Sequence, residues 1–481
     1  MAVRRLSLVL CLGVVFLCLA SVIRGNQIES SRRYGETREN RNPYIYKRDE
    51  HQRRLATQRG EIRAVPIFRE SSSLVEDLKN FELNCICIRP NSFMLPHYSS
   101  ARRLLFVEQG KAKVGWVQGG KLREVQLERG SVHFIPLGSI FYAINNDQSQ
   151  TLVIVNLLHN PNPLTRRHHE SFYLGGGRNP PSILSAFRRE TLEAAFNTEG
   201  QQIQRLLSKQ NEGVFASLEQ GKRSIVSGDH INIPFWKRKS KSEEEEYKPF
   251  NLLKKSPRFS NDNGQFISAD DEDLVKGPLD REDIGIAYTR IEPQAMTVPH
   301  WETHSTRIAV VVKGSGRVEI ASPEGVQQQR KREEGGGESE SEEEQERERE
   351  REREREMERG HRSEREEREE GEGEFRVSYK RVEENLKEGD VFVIPAGHPS
   401  SQIASSNQRL EILTFHINND DRNEINFLAG KNSMVSELRN DILAASFNEK
   451  EEVVRKVFES QKEEMFVKGP SAQRERERDE E

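Results

Sequence analysis

Cysteine is scarce in this sequence. Its 481 residues include four cysteines, and two of them, Cys11 and Cys18, lie in an N-terminal apolar run. The other two, Cys85 and Cys87, fall in the strand-like run 81–88, where alternation puts both side chains on one face and a bridge between them would be strained. We interpret them as buried thiols, in preference to a disulfide or a metal pair. A fold that depends on a disulfide framework is therefore excluded.

Long apolar segments, an excess of basic residues and catalytic signatures are also lacking. Beyond the first 25 residues no run is long and apolar enough to cross a bilayer, so we expect no membrane association once that segment is removed. The net charge of −5 argues against nucleic acid as a partner. The sequence contains no G-x-S-x-G elbow, P-loop or H-E-x-x-H motif.

The N-terminus has the pattern of a secretory signal peptide, which we predict over residues 1–25. Arg4 and Arg5 precede an apolar run at 6–23, and the small residue Gly25 offers a cleavage point. An uncleaved anchor helix is the alternative, but the run barely spans a bilayer. We therefore expect the protein to enter the secretory pathway.

Short β-type runs separated by Gly, Asn and Pro occupy residues 61–160 and recur at 284–417. This spacing is typical of an all-β sandwich or barrel. Two amphipathic helical runs follow each set. We expect a capping box at Thr198 to begin the second helix of the first pair, and Asn448 to cap the matching later helix. The predicted helices are residues 191–197, 201–209, 442–447 and 451–458.

Several segments occur twice in the same order, which indicates a duplication. Each copy has a Pro-His strand, then a G-x5-P-x-G segment, then an L-x-A-x-F-N helix end. Glycines suit tight turns, and proline ends the apolar strand before them. The matching pairs are residues 95–107 with 298–311, 130–138 with 389–397, and 192–197 with 443–448.

The second copy carries a charged insertion at 327–374, composed almost wholly of Glu, Arg, Gly, Gln and Ser. Such a tract cannot bury enough apolar area to offset its ordering entropy, and its like charges at i,i+4 weaken a helix. We predict a disordered insertion rather than a solvated helix. The full predicted organisation is a signal peptide at 1–25, a disordered polar arm at 26–41, a first domain at 42–228, a linker at 229–262, a second domain at 263–470 and a charged tail at 471–481.

The paired segments resemble the two motifs of the cupins, small barrels of the jelly-roll group. Two copies in one chain, helices after each copy and a charged insertion in the second resemble the vicilins, the 7S seed storage globulins. The segments GRNPPSILSAF (177–187) and PAGHP (395–399) strengthen the resemblance. It implies a mainly β fold with two jelly-roll cupin barrels in tandem, each followed by an α-helical extension.

Cupins hold a metal with three histidines and one glutamate, and the resemblance assigns these places to eight residues here. One metal-binding side chain survives in the first barrel and two in the second, fewer than the three that a divalent metal usually needs. We therefore expect no metal, no other cofactor and no catalytic residue. In motif order, the places fall on His97, Ser99, Arg103 and Phe141 in the first barrel and on His300, Glu302, Arg307 and Ser400 in the second.

A non-standard site in the second barrel is the alternative. Strand alternation would put His300, Glu302 and His304 on one side, and His398 lies just beyond the second motif. The competing interpretation is that these polar residues are satisfied by hydrogen bonds or face solvent.

The resemblance implies a nutrient reservoir, a seed storage protein that is not an enzyme. It also implies a homotrimer in which each helical arm packs on a neighbouring subunit, although the apolar helix faces could instead cover their own barrel. We expect a protein storage vacuole, with the extracellular space as the alternative, and proteases that process the charged insertion. The faces comprise Leu192, Phe196, Ile203, Leu206 and Leu207 in one arm and Ile442, Phe447, Val454, Val457 and Phe458 in the other.

Two other functions stay open at this point. A metal-dependent cupin oxidase or isomerase would need a tightly bound Mn, Fe or Cu. A small-molecule binding protein would resemble the sucrose-binding branch of the vicilin-like proteins. In that case Arg103 or Arg307 would suit a carboxylate in the barrel interior.

Overall fold

The computed structural model describes seven stretches of the chain, and they fall into two compact units. The first unit runs to Asn251 and includes Asp390–Val393, and the second comprises Leu252–Gly389 and the residues from Ile394 onward. The predictions for residues 1–41, 327–374 and 471–481 lie outside the described residues. The described stretches are 42–66, 78–160, 170–218, 249–269, 284–323, 378–420 and 422–470.

Antiparallel strands build the first unit. They are β1 (Ile45–Tyr46), β2 (Gln52–Ala56), β3 (Gly60–Ala64), β4 (Phe81–Ile88), β5 (Ser92–Ser99), β6 (Arg102–Gln109), β7 (Lys111–Gln118), β8 (Lys121–Glu128), β9 (Ser131–Ile135), β10 (Ile140–Asn145), β11 (Leu152–His159), β12 (Ser171–Tyr173), β13 (Phe215–Ser217) and β14 (Phe250–Asn251). One sheet has the order β14-β9-β6-β11-β4-β3-β2, and the other has the order β12-β5-β10-β7-β8, with β13 also paired to β5.

The interior of the first barrel is a single apolar cluster shared by both sheets. Strand alternation brings one face of each sheet into it, because successive side chains point to opposite sides. The cluster includes Ile86, Ile88, Leu105, Val107 and Ile154 from one sheet, and Met94, Val114, Trp116, Phe141 and Ala143 from the other.

The second unit repeats this architecture. Its strands are β15 (Phe259–Asn261), β16 (Gly264–Ser268), β17 (Ile284–Ile291), β18 (Ala295–Thr297), β19 (His300–Glu302), β20 (Thr306–Lys313), β21 (Ser315–Pro323), β22 (Tyr379–Lys387), β24 (Ser400–Ala404), β25 (Leu410–Ile417), β26 (Ile425–Phe427) and β27 (Phe466–Lys468). The remaining strand, β23 (Val391–Ile394), is assigned to the first unit except for Ile394. One sheet contains the run β20-β25-β17-β16-β15. The other has the order β22-β21-β24-β18-β27, with β19 paired to both β24 and β26.

Two helix pairs follow the barrels, as predicted. They are α1 (Arg189–Phe196) with α2 (Gly200–Leu206), and α3 (Asn440–Phe447) with α4 (Glu451–Phe458). Short 3-10 helices lie at Arg48–Glu50, Ile183–Ala186 and Leu252–Lys254. None of the helices in the described stretches is long and apolar enough to cross a membrane.

The capping predictions were wrong. Asn197 and Asn448 end α1 and α3 in the left-handed conformation, with φ of 47° and 51°, because asparagine tolerates this conformation better than most residues. The second helix of each pair begins after Glu199 or Lys450, neither of which makes a side-chain cap hydrogen bond. The Thr198 hydroxyl donates instead to the side chain of Gln202.

Part of the stretch predicted as a linker, 229–262, is folded. Residues 249–262 contain β14, a 3-10 turn and β15, and β15 pairs with β16 through Phe259 and Phe266. The aromatic rings of these two residues lie 6.1 Å apart. The short length of these strands explains why hydrophobic periodicity alone did not identify them.

Candidate functional site

In the first barrel the four places of the cupin metal site converge on an arginine. His97 and Ser99 lie on β5, Arg103 on β6 and Phe141 on β10, where Phe141 is the cross-strand partner of His97. All four side chains are buried. The guanidinium of Arg103 lies 5.2 Å from the centre of the Phe141 ring, within the range of a cation–π interaction.

Hydrogen bonds determine which nitrogen of His97 carries the proton. Nδ1 lies 2.9 Å from the carbonyl oxygen of Leu95, and because a carbonyl can only accept, Nδ1 is the protonated nitrogen. Nε2 therefore has a free lone pair, and it accepts a hydrogen bond of 2.9 Å from Nη2 of Arg103. The same Nη2 donates to the Ser99 hydroxyl at 3.3 Å. The imidazole is neutral, and the cation that it faces is the guanidinium.

Arg103 stays charged in this position. Burial lowers the pKa of Arg103 to about 10, while Tyr173 and Glu82 raise it slightly. A group with that pKa is protonated throughout the physiological range. The first barrel therefore holds a buried positive charge, surrounded by a neutral imidazole, a hydroxyl and an aromatic ring.

The second barrel repeats the arginine–histidine pair. Nδ1 of His300 donates to the carbonyl of Val298 at 2.9 Å, and Nε2 accepts from Nη1 of Arg307 at 2.9 Å. Nη2 of Arg307 donates to the hydroxyl of Ser400 at 3.1 Å. Burial, and then the charge of Arg307, lower the pKa of His300 to about 4. This imidazole is neutral as well.

A buried carboxylate distinguishes the second barrel from the first. Glu302 accepts hydrogen bonds of 2.9 Å from Nδ1 of His416 and from the amide of Asn423. Its other oxygen lies 3.7 Å from Nε of Arg307. Burial raises the pKa of Glu302, but His416, Arg307 and Asn423 outweigh it, so the pKa lies well below its ordinary value. Arg307 therefore has an internal counter-ion, whereas the matching place in the first barrel is Ser99.

These residues do not fit the metal that the cupin fold implies. With Nδ1 donating to a carbonyl, each histidine could ligate a metal only through Nε2, but in both barrels this atom accepts from a guanidinium 2.9 Å away. A divalent cation placed there would also meet the positive charge of the arginine. Within the described stretches no group of three or more His, Cys, Asp and Glu side chains is placed to hold a metal ion.

The alternative cluster of the second barrel is only partly assembled. His300 and Glu302 are buried together, but His304 lies beyond the end of β19 and is exposed, so the three residues do not share one side of a strand. His398 is half-buried, and its Nδ1 lies 3.1 Å from the carbonyl oxygen of Ala396. The turn after Glu302 breaks the alternation on which the prediction depended.

Two site residues escaped the sequence analysis. His416 is the cross-strand partner of Arg307 near the end of β25, and Asn423 follows in the next loop. Alternation along 410–417 would have put His416 on one face of its strand, but nothing in the sequence indicated that this face meets Glu302.

Comparisons with known proteins agree with this architecture. A family model described as Cupin matches residues 79–204 and 250–455. Vicilin Jug r 6.0101 of Juglans regia is 32% identical, covering 91% of this chain and 80% of its own. Vicilin Pis v 3.0101 of Pistacia vera is 31% identical, covering 89% and 70%. The sucrose-binding protein of Glycine max is 29% identical, covering 87% and 71%.

Solved structures give the same result. A vicilin from Capsicum annuum superposes with a TM-score of 0.72 at 27% identity, covering 89% of this chain and all of the other. A vicilin from Solanum melongena, which holds different anionic ligands in structurally similar pockets, gives a TM-score of 0.72 at 27% identity and covers 90% and 99%. The chain belongs to the vicilin-type 7S globulins and contains two cupin domains.

Proposed function

We propose that this chain is a nutrient reservoir, a vicilin-type seed storage globulin without catalytic activity. The observation that carries the proposal is the guanidinium that occupies Nε2 of the first histidine of each cupin motif. Arg103 contacts His97, and Arg307 contacts His300. A storage protein needs stable packing and digestible segments, and it has no use for a reactive centre. Arginine in place of a metal satisfies the hydrogen-bonding nitrogen of the buried histidine without creating a reactive centre.

Elemental analysis tests whether either barrel binds the metal that a cupin enzyme would need. The purified protein is incubated with Mn²⁺, Fe²⁺ or Cu²⁺ and then dialysed against buffer. We expect far less than one retained metal per barrel. A variant lacking Cys85 and Cys87 is measured alongside, so that metal held by thiols is not attributed to the barrels. One firmly held metal per barrel in that variant would overturn the proposal.

We also infer assembly as a homotrimer through the helix pairs. Leu192 and Ile203 of the first pair and Leu443 and Val454 of the second are buried within the chain. Each helix pair thus packs on its own chain with one side and leaves apolar side chains exposed on another side. Exposed apolar groups in such number favour a protein partner. They are Phe196 (56% exposed), Leu206 (68%), Ile442 (53%), Phe447 (58%), Val453 (45%) and Val457 (61%).

We further propose that the protein is processed by proteases and stored in a protein storage vacuole, and two features of the sequence support this. The predicted signal peptide directs the chain into the secretory pathway, and the insertion at 327–374 is rich in arginine. Brief digestion with trypsin should cut first within this insertion and leave both barrels intact. Early cleavage inside a barrel would contradict this expectation. Immunolocalisation in the seed distinguishes the vacuole from the extracellular space.

A second candidate function is the binding of a small carboxylate in the first barrel. Within the described stretches, both hydrogen bonds of Arg103 come from Nη2, to His97 and Ser99, and no carboxylate lies against it in an ion pair. Its Nε–H and Nη1–H groups remain for a ligand. A buried charge that no carboxylate contacts is costly, so an anion that reached it would bind favourably. In the second barrel Glu302 already supplies that negative charge.

The relatives support this second candidate. The Solanum melongena vicilin holds anionic ligands, and the Glycine max relative is named for sucrose. Calorimetry with acetate, a larger organic acid and sucrose tests it. We expect one carboxylate per chain, lost in Arg103→Met, and no sucrose binding. Carboxylate binding that survives Arg103→Met would refute this assignment, and sucrose binding that is insensitive to the change would favour a different site.

A further inference from the structure

The two thiols of β4 lie side by side on one face of the strand. Cys85 and Cys87 are both free cysteines, and their sulfur atoms are 3.8 Å apart. Both side chains are half-buried, which corrects the prediction of buried thiols. The core face of the strand carries Ile86 and Ile88 instead. The thiols therefore lie on the face of the strand opposite the barrel core and outside the arginine–histidine site.

The strand that carries them is held rigidly. β4 lies between β3 and β11, with Cys85 opposite Arg63 and Val155, and Cys87 opposite Glu61 and Val153. In an extended strand the Cα atoms of residues i and i+2 are about 6.5 Å apart and their Cβ atoms run parallel. A disulfide needs Cβ atoms about 3.8 Å apart, so closing one would distort a strand that is paired on both sides.

The same geometry suits a shared metal ion. With a metal–sulfur bond of about 2.3 Å, a sulfur separation of 3.8 Å gives a sulfur–metal–sulfur angle of about 110°, which is close to tetrahedral. No backbone movement is needed. We propose that Cys85 and Cys87 form a two-thiolate chelating site for a soft d¹⁰ divalent cation, Cd²⁺ or Zn²⁺, on the outer face of the first barrel.

Thiolate chemistry at this pair is consistent with metal binding. The two sulfurs lie within hydrogen-bonding distance of each other on one strand. A cation bound by both sulfurs as thiolates displaces both thiol protons, which pass to solvent. The described residues add no third ligand, because Glu61 is held by Arg53 and Arg63. Water or a small thiol completes the coordination, so the metal is exchangeable.

Titration with Cd²⁺ tests the site, with thiolate-to-metal charge-transfer absorbance in the ultraviolet as the readout. The full chain is compared with C85S, C87S and the double variant, which retains Cys11 and Cys18 wherever these are present. We expect one Cd²⁺ per chain in the wild type, no signal above background in the double variant, and at least tenfold weaker binding in each single variant. Melting curves of the near-isosteric serine variants check that the fold is retained.

Three results would overturn the proposal. One is Cd²⁺ binding of equal affinity in the double variant. Another is a single serine variant that binds as tightly as the wild type. The third is a thiol titration showing Cys85 and Cys87 joined in a disulfide in the folded protein. Zn²⁺ competition against bound Cd²⁺ then ranks the two cations.

Discussion

Replacing His133 should change how the stability of the protein depends on pH. His133 lies on β9, is 3% exposed, and has a buried Nε2 without a hydrogen-bond partner among the described residues. Its ring packs 4.7 Å from that of Trp116 inside the first barrel. The second copy has Phe392, also buried, at the matching place. The test variant is therefore His133→Phe, the substitution that the duplication itself contains.

The magnitude follows from burial. Loss of water around the ring lowers the pKa of His133 to about 4 from an ordinary 6.5. As pH falls through 6.5 the unfolded chain takes up a proton that the folded chain refuses until about pH 4, so the folded state loses stability over this interval. One pKa unit is worth 1.36 kcal/mol, so the loss is about 2 kcal/mol at pH 5 and about 3.4 kcal/mol below pH 4.

Urea unfolding at pH 8 and pH 5, followed by intrinsic fluorescence, measures this effect. Between these two pH values the wild type should lose about 2 kcal/mol more than His133→Phe. His304→Gln is the matched control, because His304 is exposed and its replacement should leave the pH dependence unchanged. Exchange of the imidazole C2 hydrogen, followed by mass spectrometry, reports the pKa of His133 directly. Equal pH dependence in wild type and His133→Phe would refute the reasoning.

Three further substitutions test other parts of the structure. Glu302→Gln leaves the buried guanidinium of Arg307 without its counter-ion and should lower the free energy of unfolding in urea by roughly 3–5 kcal/mol. An unchanged midpoint of the urea transition would contradict the ion pair between Glu302 and Arg307. Phe447→Glu should shift the native mass from trimer towards monomer, whereas the exposed Lys456→Glu should not. Gly115→Ala brings a methyl group into steric overlap with the ring of Tyr142 and should lower the free energy of unfolding by about 1–3 kcal/mol, a loss recovered in part by Tyr142→Ala.

Much of the fold was predictable because the strands are regular and the sequence repeats. The predicted β-type regions at 61–160 and 284–417 contain the strands β4 to β11 and β17 to β25. The helix starts were less predictable, because Glu199 and Lys450 make no side-chain cap hydrogen bond and so left no signal. Short strands such as β14 and β15 depend on pairing partners that are distant in sequence, and local periodicity does not report these.

The candidate site was predictable in its members and less so in its chemistry. The resemblance to the cupin motifs implied that His97 and Arg103 share one site, and the structure places Nη2 of Arg103 2.9 Å from Nε2 of His97. Their relation depends on the tautomer of the imidazole, which is set by the carbonyl of Leu95. The sequence alone does not reveal the hydrogen bond between His97 and that carbonyl. His416 and Asn423 escaped notice because they belong to no motif and reach Glu302 only through the closure of the barrel.

The two copies place an arginine against a histidine in the same scaffold, with different surroundings. A histidine whose Nδ1 donates to a carbonyl offers Nε2 as an acceptor, and in a dry interior that atom must find a donor. Arginine satisfies it in both barrels. The arginine then carries its own charge into the interior, and here the copies differ. In the second barrel Glu302 forms an ion pair with the arginine, whereas in the first barrel the described residues that contact the guanidinium are His97, Ser99 and Phe141. Any anion that this protein binds at such a site should therefore be found in the first barrel, and the substitution Glu302→Ser should create a second anion site of the same kind.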